Sequence, residues 1–274
     1  MALIQVNYLS KALMRTVPVN VILPVDKISF ATMDYAMQGG QKFKTLYLLH
    51  GIFGNYTDWV SGTRIQRWAE EKNLAVVMPS GDNAFYVNTP IPVNNYEEFI
   101  GKELVEMTRR TFPLSDKRED TYIAGLSMGD YGALINGMKY PETFSRIAAL
   151  SSACSVLDSP ETLLGTGAVF GDYEKARASL NFPKNAIQAL SERVRKNEVS
   201  APEFFVACGL QDGLLEANQR LRDDLKNAQF KVDYLEEDGG HEWDFWDRNI
   251  KRVVDWLPLE EKSKALNSGS IKEE

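Results

Sequence analysis

Thr121 to Leu134 reads TYIAGLSMGDYGAL. An apolar run, Tyr122 to Ala124, leads into Gly125-Leu126-Ser127-Met128-Gly129. From Met128 the pattern is helical until Tyr140-Pro141, where proline stops it. A serine between strand and helix, with a glycine two places away on either side, is the pattern of a nucleophile carried on a tight turn. The reason for the glycines is steric. Side chains at 125 and 129 would collide with neighbouring backbone, and the turn is predicted to be strained, lifting the Ser127 Oγ clear of the sheet.

Outward from this turn the chain alternates between two patterns. Short apolar bursts predict buried strands at Thr45–Gly51, Leu74–Ser80, Arg146–Ser152 and Glu203–Gly209. Phe230–Gly240 alternates polar and apolar residues, as expected near a sheet edge. Helical patterns fall between them at 64–72, 96–112, 128–139, 215–228 and 245–256. Strand alternating with helix implies a mostly parallel sheet with helices on both faces. Ile4–Leu9 and Val17–Leu23 are expected to add an antiparallel edge. The rhythm breaks at 155–200, read as a short lid or cap insertion within a single domain spanning 1–258. Residues 259–274 are polar with no apolar face and read as a loose tail.

The 274 residues carry a net charge of -7, which argues against nucleic acid as a partner because phosphate binding needs a basic surface. The two cysteines, Cys154 and Cys208, lie in apolar stretches without metal-ligand spacing and read as buried thiols. No run is long enough to span a membrane, and the first residues lack the pattern of a signal peptide. The expected location is the cytoplasm. A homo-oligomeric state stays open.

A nucleophilic serine needs a base, and the chain offers two histidines. His50 ends an early strand. His241, in EEDGGHEWDFW, follows the last strand, where a loop can reach over the sheet's carboxyl edge. Chain order in nucleophile-elbow enzymes is serine, then acid, then histidine, which selects His241. The acid should sit between them at a strand end. Asp212, in FFVACGLQDGLL, occupies that slot; a plain helix N-cap is the lesser alternative. Asp158 and Asp172 fall in the insertion, and Asp238 is too close to His241. The two amides that would bind an oxyanion are those of Met128, after the nucleophile, and Ile52, in the turn HGIFGN. His50 then shapes that turn.

With these pieces in place, the chain resembles the esterase D-like branch of the α/β-hydrolases. LYLLHGIFGNYTDW, VVMPSGDNAFYVN, TYIAGLSMGDYGAL, CGLQDGLLEAN and GGHEWDFW carry the resemblance in the right order. The opening and ending motifs are most similar to bacterial tributyrin and cinnamoyl (feruloyl) esterases. The resemblance implies an α/β-hydrolase fold and a serine carboxylesterase acting on short-chain acyl or hydroxycinnamoyl esters through Ser127, His241 and Asp212. It implies a small-molecule ester as substrate, with no metal and no organic cofactor. The alternatives are a thioesterase of the S-formylglutathione hydrolase type and a catalytically silent binding protein. Phe53, Tyr86 and Trp243 are the expected substrate contacts, whereas Trp59 and Trp246 read as packing. The family typically has glycine where this chain has Asp130. Asp130 is expected either as a charged carboxylate favoured by the helix dipole or as a charge that disturbs the oxyanion site.

Overall fold

The computed structural model describes residues 1–28, 33–35, 40, 42–159 and 166–259. Eight strands form one sheet: β1 Ala2–Ser10, β2 Arg15–Leu23, β3 Thr45–Leu49, β4 Ala75–Pro79, β5 Thr121–Leu126, β6 Arg146–Leu150, β7 Glu203–Gly209 and β8 Val232–Glu237. Their order is β1-β2-β4-β3-β5-β6-β7-β8. β1 pairs antiparallel with β2, and β2 antiparallel with β4. From β4 to β8 every pairing is parallel. The expected antiparallel edge and parallel centre are both present.

The central strands are continuous apolar runs because both faces are covered. Successive side chains point to opposite faces, so each strand feeds two cores. Tyr47, Val77, Ile123, Ile147 and Val206 enter one core. Leu46, Val76, Ala124, Ala148 and Ala207 enter the other. The helices α1 Asp58–Gly62 and α2 Ile65–Glu71 lie on the second face. They are followed by α3 Tyr96–Glu98, which runs through a π turn, Phe99–Glu103, into α4 Leu104–Thr111. The π turn was not legible from the helical spacing of 96–112.

Helix α5, Met128–Lys139, follows β5 and is buried along almost its whole length. Its low polarity suits a helix packed between the sheet and a further helical layer. That layer comes from the 155–200 segment, which supplies α6 Thr166–Phe170, α7 Tyr173–Ala178 and α8 Pro183–Arg195. α8 packs on α5 and on α9, Leu215–Asn227. Phe170 packs on Phe85 and Tyr131, so this segment contributes to the first core. Residues 160–165 within it and most of the polar tail, 260–274, lie outside the described residues. The last helix, α10 Trp243–Trp256, turns Phe245, Ile250, Val253 and Val254 into the second core. Among the described residues no helix is long and apolar enough to cross a membrane.

Candidate active site

Ser127 occupies the single position between β5 and α5, with φ +54 and ψ -115. A non-glycine residue there stores about 1–3 kcal/mol and persists only if its surroundings impose it. They do. Its N–H donates to Leu150 O at 3.0 Å, and its carbonyl accepts from Tyr131 N at 3.1 Å and Ala153 N at 3.3 Å. The flanking glycines allow this closure. A Cβ on Gly125 would lie 2.2 Å from Gly129 O, and one on Gly129 would lie 2.3 Å from Leu49 O. The steric reason inferred from the sequence is therefore the one the structure displays.

His241 lies on the loop between β8 and α10. Its Nε2 is 2.9 Å from Ser127 Oγ, and its Nδ1 is 2.9 Å from Asp212 Oδ2. Asp212 follows β7, and its Oδ1 accepts the Leu214 N–H at 2.9 Å. The helix that follows has Leu214 at its N-cap position and no side-chain cap, so this bond closes a turn ahead of the helix, and the same carboxylate meets the histidine with its other oxygen. Burial by itself would raise the Asp212 pKa. The bonds from His241 and Leu214, with the adjoining Ser151 hydroxyl, outweigh it and hold the carboxyl below its usual range. An ionised Asp212 accepts Nδ1–H, which leaves Nε2 as the acceptor facing the serine hydroxyl. The arrangement can therefore draw the proton from Ser127 Oγ.

His50 is a different kind of histidine. It is buried, its Nε2 accepts the Gly81 N–H at 2.8 Å, and its Nδ1 is 2.6 Å from Gly51 O. Accepting at one nitrogen and donating at the other requires the neutral ring, and burial lowers its pKa accordingly. It ties the turn after β3 to the loop after β4, far from the role of a base. That turn carries Ile52 to the edge of the same cleft as Ser127. Met128 begins α5, where the first amides have no acceptor within the helix.

The cleft above Ser127 has a volume of about 500 Å³ and is walled by Ile52, Phe53, Trp243 and Trp246, with Asp58 and Glu242 at its polar side. No described residue of the 155–200 segment lines it. Phe53 is 73% exposed, and Trp243 is half-buried, stacked edge-on between Trp59 and Trp246. Tyr86, expected as a substrate contact, is a correction. It is fully buried, its ring fills the space beside Gly81 and Gly132, and its hydroxyl donates to His50 O at 2.9 Å. It braces the turn from behind. Trp59 is core, with its indole N–H on Leu49 O. Trp246, expected as packing alone, also presents its ring edge-on to the His241 imidazole, with centroids 5.0 Å apart, and donates to Ser151 Oγ.

Asp130 departs from both expectations. Its side chain is fully buried, neither carboxyl oxygen has a hydrogen-bond partner, and the neighbouring Ser152 Oγ has none either. Burial drives its pKa well above the carboxylate range, with Ser152 pulling weakly the other way. Burial without a partner disfavours the charged form, which is the opposite of what the helix dipole would favour at a helix start.

Comparison with known proteins gives the family and the fold. Residues 10–257 match a family model described as "Putative esterase". An acetyl esterase from Caldicellulosiruptor saccharolyticus is 40% identical over 266 residues, covering 94% of this chain and 98% of the relative. The fluorophosphonate-binding serine hydrolase FphF of Staphylococcus aureus superposes with a TM-score of 0.80 at 30% identity, over 93% of this chain and 98% of that one. The S-formylglutathione hydrolase FrmB of the same organism does so with a TM-score of 0.78, also at 30% identity and over the same shares of the two chains.

Proposed function

Because the chain belongs to the esterase family whose model spans it, and is a carboxylic ester hydrolase of α/β-hydrolase fold, we propose that it is a serine carboxylesterase for small acyl esters, working through Ser127, His241 and Asp212. The observation that carries this reading is the unbroken line from the Ser127 hydroxyl through the imidazole to a buried carboxylate, 2.9 Å at each step.

His241 Nε2 takes the Ser127 proton as Oγ attacks the ester carbonyl carbon. Asp212 keeps Nδ1 protonated and stabilises the imidazolium that forms. Charge gathers on the carbonyl oxygen, where the Ile52 and Met128 amides are the donors. The ester C–O bond then breaks, and the alcohol departs with the proton from Nε2. Water, activated by the same nitrogen, hydrolyses the acyl-serine and restores the enzyme.

The acetyl esterase relative supports a small acyl group. The aromatic walls, Phe53 and Trp243, suit a short acyl chain or an aryl group such as a hydroxycinnamoyl ester. A glutathione thioester is the second reading, favoured by the likeness to FrmB. The charges lining the cleft weigh against it. They are the carboxylates of Asp58 and Glu242, which repel a leaving group that itself bears two carboxylates.

Two measurements test the proposal. A fluorophosphonate should label Ser127 stoichiometrically, which a silent binding protein would not allow. Rates on p-nitrophenyl acetate, methyl ferulate and S-formylglutathione should rank the two oxygen esters above the thioester. The opposite ranking would give the thioesterase reading instead.

A further inference from the structure

Ser151, the residue directly after β6, combines three features that the proton relay described above does not use. It is a non-glycine residue at φ +56. Its side chain is wholly buried. Its Oγ accepts the Trp246 indole N–H at 3.2 Å. Its backbone is fixed as well, because its N–H donates to Ala207 O of β7 at 2.8 Å. β7 is the strand that runs into Asp212, and the Ser151 hydroxyl adjoins the Asp212 carboxylate.

A serine hydroxyl has one proton and accepts through its lone pairs. With Trp246 occupying the acceptor side, the proton remains available to the neighbouring carboxylate. The Asp212 oxygens already take His241 Nδ1–H and Leu214 N–H, one each, and each keeps a second lone pair. We propose that Ser151 is a positioning residue for the triad acid: the Trp246 indole orients its hydroxyl, and the hydroxyl donates to Asp212 and fixes the plane of the carboxylate against His241.

The strained backbone is consistent with this role. Left-handed conformations of non-glycine residues gather where the surrounding structure needs a side chain aimed in one direction. Glycine would relax position 151 and lose the hydroxyl. Trp246 serves both partners of the relay, since its ring meets the imidazole of His241 edge-on while its N–H holds Ser151.

The inference rests on the Ser127–His241–Asp212 reading, and the experiment separates the two. Ser151→Gly, Ser151→Ala, Trp246→Phe and Ser127→Ala are assayed on p-nitrophenyl acetate, the first three normalised to the fraction titrated by a fluorophosphonate. Ser151→Gly should melt no lower than wild type, and Ser151→Ala, which keeps the strain, should melt lower than Ser151→Gly. Both should lose about tenfold in kcat with KM unchanged, the low end of what losing a supporting hydrogen bond costs a site. Trp246→Phe should fall less, and combining it with Ser151→Gly should add little, because the indole acts through the hydroxyl. A kcat for Ser151→Gly within about twofold of wild type, or a loss confined to KM, overturns the positioning role. If Ser127→Ala also stays active, the triad reading itself has failed. If only Ser151→Gly is silent, the triad stands and the inference falls.

Discussion

His241 Nε2 lies 2.9 Å from Ser127 Oγ, across 114 residues of chain. Two loops at the carboxyl edge of one sheet create this contact, one after β5 and one after β8. Losing it should remove the chemistry and spare the fold.

Ser127→Ala should lower hydrolysis of p-nitrophenyl acetate by several orders of magnitude, up to about 10⁶. The methyl group fits the same strained turn, so the melting temperature should stay near that of wild type. A variant retaining a tenth of the wild-type rate would remove Ser127 from the mechanism.

Asp212→Asn should keep the geometry and lose about 10⁴ in kcat. An amide that presents N–H towards Nδ1 reverses the imidazole tautomer and places a proton on Nε2, where the serine proton must go. Steady-state kinetics of the folded variant decide this. A loss confined to KM would leave Asp212 as a residue of the turn that precedes α9.

Asp130→Asn probes the buried carboxyl whose pKa burial raises. The folded protein holds this carboxyl protonated above its ordinary pKa of about 3.9, while the unfolded chain releases the proton. The folded state therefore binds more protons, and its stability falls as pH rises from about 4 towards the folded pKa, by up to about 1.4 kcal/mol per pH unit. Asn mimics the neutral acid and does not titrate. The stability gap between Asp130→Asn and wild type should widen in favour of the variant as pH rises above about 4, with kcat little changed. Parallel pH–stability curves in chemical denaturation would mean that Asp130 is ionised in the fold.

His50→Gln should mainly lower stability, by loosening the link between Gly51 and Gly81. In wild type the buried neutral ring has a lowered pKa. Its contribution is complete above the unfolded value of about 6.5 and is lost as pH falls below it. That acid-side loss should be smaller in His50→Gln. By contrast, His241→Gln should abolish turnover at every pH with little change in unfolding. Were His50→Gln the more damaging to the rate of folded enzyme, the assignment of the base would be reversed.

Acyl-chain preference follows from the cleft. Its volume is about 500 Å³, and no described part of the 155–200 segment extends it. Acetate and butyrate esters should be cleaved faster than long-chain esters. Faster cleavage of palmitate than butyrate esters, below their aggregation limits, would show that the acyl group binds elsewhere.

Much of the fold and the candidate nucleophile were legible because their causes are local. Apolar runs such as TLYLL and FFVAC are what strands buried on both faces require, and they mark β3 and β7 without any knowledge of neighbours. The elbow was legible because its glycines answer a contact made within a few residues, Gly125 against Gly129. With two histidines in the chain, order along the sequence was enough to single out His241. The π turn in the helix after Asn95 was not legible, because it keeps nearly the same spacing of apolar residues as an α-helix.

Residues whose behaviour depends on distant packing could be read only from the tertiary structure. Tyr86 sits in a polar loop, yet Gly132 on α5 closes over its ring and turns it into a brace for His50. Asp130 reads as a helix-start carboxylate, but burial removes its water and raises its pKa. Ser151 and Trp246 are 95 residues apart, and nothing in RIAALSS or HEWDFW announces their bond. Sequence alone determined the order of elements and the strained turn, and singled out Ser127 and His241 as candidates, because backbone sterics and hydrophobic periodicity act over a few residues. Tertiary structure decided which polar groups are desolvated, which aromatics reach the cleft and which side chains meet across the sheet, because desolvation and side-chain contact depend on every segment that packs around them.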